Sequence, residues 1–82
     1  MLLPGRNWVK ASSDMRFLLA GLDGDGNPAV WFETDPTGKQ AEPDVEVIAT
    51  GDPVPEGHRH IGMFSPEPGL VFHAYVREAW VR

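Results

Sequence analysis

Glycine and proline cut this chain into short pieces. Nine Gly and eight Pro are spread through 82 residues, with no low-complexity tract. The uninterrupted segments run to roughly 5–9 residues, which is strand length; most helices need about ten or more. The punctuation therefore predicts an all-β domain built from short strands.

The clearest unit is a hairpin. Arg16–Leu22 and Pro28–Thr34 are two apolar runs separated by Asp23-Gly24-Asp25-Gly26-Asn27, residues that tolerate positive φ. Both runs are so poor in polar residues that both faces are expected to be covered, with the pair central in a small sheet and Trp31 in the core. Asp35–Pro43 reads as a connecting loop. In Asp44–Thr50, Val45, Val47 and Ala49 share one face while Glu46 and Ile48 take the other. Residues 51–57 hold Pro53 and Pro55 and cannot be regular. Arg59–Phe64 is the next strand, residues 65–69 a turn and Leu70–Val76 the last strand. In that strand Leu70, Phe72, Ala74 and Val76 oppose Val71, His73 and Tyr75. Asn7–Ser12 supplies a first strand, and Arg77–Arg82 either continues the last one or turns into a short helix. The expectation is a small antiparallel sandwich or half-open barrel of five to six strands, meander-like, with little or no helix.

The length suits a single domain. Without Cys, the chain can form no disulfide, thiolate metal site or Cys nucleophile. No apolar run approaches the roughly 20 residues of a membrane-crossing helix, and Met1-Leu2-Leu3-Pro4-Gly5 is too short for a signal peptide. The expected compartment is the cytoplasm, with no membrane partner. A chain this small buries only about 60–65% of its unfolded surface. Pairing with a second copy is one remedy, so a homo-oligomer is one expectation for this chain.

No motif compels a catalytic reading. Asp23, Asp25 and Asn27 have the alternating oxygens that begin a calcium loop, but Pro28 replaces the required Gly and Thr34 the bidentate Glu. The segment reads as a turn. His58 and His60 share a strand face and His73 could oppose them, with Asp52 adding an oxygen; two surface histidines and one packed on a sheet face explain so short a spacing better. Ser12, Ser13 and Ser65 lack a nucleophile signature. The expectation is a non-enzyme with no cofactor and no metal.

Charge is distributed unevenly. Residues 23–56 carry nine carboxylates against the single base Lys39, within a net charge of −5. Such a surface repels a nucleic-acid backbone, so direct nucleic-acid binding is not expected. Glu42, Asp44, Glu46, Asp52 and Glu56 are the candidate acidic face for a basic groove on a protein. Trp8, Trp31 and Trp80 make the chain rich in Trp, and such residues anchor cores and interfaces. His73, Arg59, Trp80 and His60 are the candidate ligand-binding residues, as a pocket for a small anion such as a nucleotide.

Three segments carry a resemblance: Thr50-Gly51-Asp52-Pro53-Val54-Pro55, His60-Ile61-Gly62-Met63-Phe64 and Leu70-Val71-Phe72-His73-Ala74-Tyr75. With Val30-Trp31-Phe32-Glu33-Thr34-Asp35-Pro36, they resemble small uncharacterised proteins of tailed bacteriophages and prophages, over about residues 29–76. Asp52 stands where that family usually has His, and His60 where it has Tyr; His73 matches. The resemblance implies a phage or prophage accessory protein that binds a host or phage protein, for example a host defence or regulatory component. The alternative is a self-associating virion accessory protein.

Overall fold

The structure, a computed structural model, describes residues 1–81. Its strands are β1 (Gly5–Trp8), β2 (Ala11–Ser12), β3 (Arg16–Leu22), β4 (Pro28–Glu33), β5 (Gln40–Ala41), β6 (Asp44–Ala49), β7 (His58–Glu67) and β8 (Leu70–Arg77). A 3₁₀ turn at Glu78–Trp80 follows, and no α-helix forms among the described residues. The tail thus takes the short-helix alternative, with Arg82 outside the described residues. No helix among them is long and apolar enough to cross a membrane. The all-β antiparallel class read from the punctuation is the one observed.

The strands form a four-stranded sheet in the order β1-β6-β8-β7 and two ribbons, β2-β5 and β3-β4. This order departs from a simple meander, because β8 lies between β6 and β7. Residues 50–57, with Pro53 and Pro55, are too long and irregular for a tight hairpin. They carry the chain past the neighbouring position to the sheet edge, and β7 then turns back at Pro68-Gly69 to place β8 inside. Gly69, at φ +81°, supplies the left-handed residue of that turn. The expected first strand also divides. β1 pairs with β6 from Gly5↔Val47 to Trp8↔Asp44, but Pro43 has no N–H to extend the ladder, and Ala11 pairs with Ala41 in the β2-β5 ribbon instead.

The core lies between the β3-β4 hairpin and one face of the four-stranded sheet. Met15, Phe17, Val45, Val47, Phe64, Ala74 and Val76 are buried there, with Leu2 and Ala20. The period-two assignments of Val45 and Val47 and of Ala74 and Val76 to the core face are those observed. Phe32 meets Phe17 edge-on, ring centroids 6.2 Å apart. Both chain ends clasp the hairpin: Leu2 N–H donates to the Pro28 carbonyl at 2.8 Å, and Val81 bridges to Phe17 in parallel.

Two hairpin expectations are corrected. β3 and β4 form a separate ribbon covered on one face only, and Trp31, paired with Leu19 on the other face, is 40% exposed. The Asp23–Asn27 segment is a turn: the Asp23 carboxylate accepts the N–H groups of Asp25 and Asn27, both at 2.9 Å.

Candidate functional site

The side of the four-stranded sheet away from the core is open. Directly opposed residues of an antiparallel pair point to the same side, so the register reads as rows across the strands. One row is Arg6, Glu46, Tyr75 and His60. On one flank, Trp8 opposes Asp44 and Arg77 opposes His58; on the other lie Ile48, His73 and Met63. Trp8 and Met63 are 63% and 57% exposed.

Hydrogen bonds organise the middle of this face. The register shift between His60 and Gly62 brings His60 diagonally onto His73, with His60 Nε2 and His73 Nδ1 3.0 Å apart. His73 Nε2 lies 2.9 Å from Thr50 Oγ1, and that hydroxyl donates to the Val71 carbonyl at 3.4 Å. The Val71 carbonyl can only accept, and with the Thr50 hydroxyl turned toward it one pair of tautomers satisfies the network. Thr50 accepts from His73 Nε2–H, which leaves His73 Nδ1 to accept from His60 Nε2–H. The Tyr75 ring lies edge-on to His60, centroids 5.2 Å apart. His58 stands apart, its Nδ1–H donating to the Glu56 carbonyl at 2.7 Å.

Arg6, Arg77, Asp44 and Glu46 form an ion-pair network on the β1–β6–β8 side. Asp44 is nearly buried between Arg6 Nε at 3.3 Å and Arg77 Nε at 3.5 Å. Glu46 Oε2 is buried without a hydrogen bond; Arg6 Nε, 3.6 Å away, balances its charge from beyond hydrogen-bonding range. The Arg6 guanidinium also lies 5.9 Å from the Trp8 ring, within cation–π range.

The expected sites divide accordingly. His60 and His73 meet, but Arg59 opposes the core-facing Val76 and binds Glu78, while Trp80 packs against the core. The sheet therefore separates the four expected ligand residues, and they do not form one pocket. The five expected acids do not form one free face either. Asp44 and Glu46 are held by arginines, and Asp52 accepts the Ala49 N–H at 3.3 Å. β6 places Glu42 and Asp52 at its opposite ends, about 20 Å apart at roughly 3.3 Å per residue. The sequence alone assigns no site role to Arg6, Thr50 or Met63. The alternation of Leu70–Val76 places His73 and Tyr75 together on the outer side, but their partners depend on strand order and on the bulge at Ile61.

Ser12 has a different role. It is buried; its Oγ donates to Asp14, accepts the Asp35 N–H at 3.0 Å and sits 2.8 Å from Thr34 Oγ1. These bonds tie β2 to the end of β4 beside a depression lined by Lys10, Gln40 and Glu42. Asp35 there accepts the backbone N–H and hydroxyl of Thr37, which hold its carboxyl below the ordinary aspartate range. No three His, Asp or Glu side chains converge to hold a metal among the described residues.

Fold and site thus define a small all-β protein with an open sheet face of histidine, aromatic, arginine and methionine side chains. The chain matches, over residues 2–81, a family described as Domain of unknown function (DUF7352), and it belongs to that family. Neither a curated protein nor a solved structure matches it.

Proposed function

We propose that this protein is a non-catalytic binding factor that docks a protein partner on the outer face of the β1-β6-β8-β7 sheet. The observation that carries this reading is the composition of that face. Tyr, Trp, Met and Arg are the residues enriched in protein interfaces, and Lys is depleted there. This face has Trp8, Tyr75, Met63, Arg6 and Arg77, whereas Lys10 and Lys39 lie outside its strands. Its four strands, of four, six, eight and ten residues and about 4.8 Å apart, span on the order of 450 Å² before side-chain relief, somewhat below the roughly 600 Å² lower end of a partner's share of a standard interface. The commitment of Ser12 Oγ to three neighbours favours binding over nucleophilic chemistry.

The phage resemblance gives the proposed setting: an accessory factor of a phage or prophage, in the bacterial cytoplasm, engaging a host or phage protein. The segments that carry it include Thr50, His60, His73 and Tyr75 of this face. The basic-groove mechanism loses support, since Asp44 and Glu46 already have arginine partners. Capture from a bacterial host lysate, with wild type and a Trp8→Ala/Met63→Ala variant compared, tests the reading. A partner retained by wild type and lost by the variant is expected; equal retention would overturn it.

Self-association is the second reading, favoured by Leu18, Leu19 and Trp31 on the uncovered side of the β3-β4 hairpin. That ribbon offers only about 200 Å² of flat area, well below the roughly 800 Å² per partner of a standard interface. It is therefore ranked second, and sedimentation at micromolar concentration separates the two.

A further inference from the structure

The histidine pair on the outer sheet face supports a second kind of binding, independent of protein docking. We propose that His60 and His73 form a two-imidazole site for a late first-row divalent cation, taking copper(II) more tightly than nickel(II) or zinc(II). His60 Nε2 and His73 Nδ1 are 3.0 Å apart. With metal–nitrogen bonds of about 2.0–2.1 Å, two imidazoles at right-angle positions place their nitrogens about 2.8–3.0 Å apart, and at tetrahedral positions about 3.3–3.4 Å. The pair already stands at the separation chelation requires, so a cation needs only a turn of the rings to replace the shared proton.

The surroundings favour that exchange. Metal-binding histidines characteristically donate their second ring N–H to a neighbouring oxygen, which fixes tautomer and orientation. His73 does so, giving Nε2–H to Thr50 Oγ1 at 2.9 Å and leaving the Nδ1 lone pair toward His60. His60 Nδ1 has no protein hydrogen bond among the described residues, so the proton on Nε2 can be relocated there by tautomer exchange. The Tyr75 ring, 5.2 Å away, supports one side of His60. His60 is exposed and His73 half-buried, so a hydrated cation can reach both. No third His, Asp or Glu joins them among the described residues, and water would complete the coordination. Imidazole suits copper, nickel and zinc, and at a site without enforced geometry the ordinary affinity order puts copper first. His58, held by the Glu56 carbonyl, is not part of the site and serves as the control.

Copper(II) added at one equivalent to the full chain, with nitrogen ligands counted by electron paramagnetic resonance and affinity measured by competition titration, tests the site. Two imidazole nitrogens are expected in wild type and one in His60→Ala or His73→Gln, with affinity falling at least about tenfold in either variant. Thr50→Val is expected to weaken binding while both nitrogens remain, and His58→Ala to change nothing. A signal unchanged in both His60→Ala and His73→Gln, or abolished by His58→Ala, would overturn the proposal.

Discussion

A Cβ atom on Gly62 would lie 2.0 Å from the carbonyl oxygen of Ala20 and 2.8 Å from its carbonyl carbon. The hairpin strand β3 and the edge strand β7 therefore approach backbone to backbone, and the absence of a side chain at Gly62 permits it. Gly62→Ala is expected to destabilise the protein by about 1–3 kcal/mol, because the obstacle is backbone that cannot rotate away. Urea unfolding measures this; a loss below about 0.5 kcal/mol would show that the two strands separate easily.

Asp44 is the shared partner of Arg6 and Arg77 and joins β1 to β8 across β6. Asp44→Ala removes the carboxylate paired with Arg77 and leaves Arg6 with Glu46 alone, and is expected to cost about 1–3 kcal/mol. Glu78→Ala breaks only the exposed pair with Arg59 and is expected to cost under about 1 kcal/mol. Equal losses in the two variants, read from the same unfolding curves, would contradict the difference in burial.

The two faces of the β3-β4 hairpin should respond unequally to truncation. Phe17 is 1% exposed and packs edge-on against Phe32. Phe17→Ala is expected to cost about 3–5 kcal/mol. Trp31→Ala, on the uncovered face, is expected to cost clearly less than Phe17→Ala despite the larger side chain. A comparable loss at Trp31 in thermal unfolding would mean that this face is covered in solution, by a second copy or otherwise.

Asp35 gives a pH dependence with a definite sign. Hydrogen bonds from the Thr37 N–H and hydroxyl lower its folded-state pKa below the unfolded one. Its contribution is therefore complete above the unfolded value and is lost as pH falls through the folded value. Carboxyl NMR titration should place Asp35 below an ordinary aspartate, and Thr37→Val should move it upward. That variant keeps the residue-37 N–H, the larger cause, so no movement would remove the Thr37 hydroxyl as a contributor.

Much of the fold is legible in the sequence because its signals are local. Gly and Pro spacing marks the strands, and alternation in Asp44–Thr50 and Leu70–Val76 sorts core from surface residues. Strand order is not local. The apolar character of Arg16–Leu22 and Pro28–Thr34 suggests burial on both faces, yet these strands form a two-stranded ribbon of their own and leave Leu19 and Trp31 uncovered. The site is less legible for the same reason. His73 and Tyr75 can be placed on one side by alternation, but His60 reaches His73 only through a bulge, and Arg6 reaches Asp44 through pairing of segments nearly forty positions apart. Arg59 sits next to His60 in sequence and on the opposite side of the sheet, as strand alternation requires.

The central claim is that the outer face of the four-stranded sheet is a protein-binding surface. Its most direct test is the dissociation constant of a partner captured by the wild-type protein, measured against Trp8→Ala, Tyr75→Ala, Met63→Ala and the hairpin variant Leu19→Ala. Interface anchors cost about 2 kcal/mol or more on truncation, roughly a thirtyfold loss of affinity. A loss of that size in at least one sheet-face variant, with Leu19→Ala within about twofold of wild type, is the predicted result. Full affinity in all three sheet-face variants, or a loss confined to Leu19→Ala, would contradict the account.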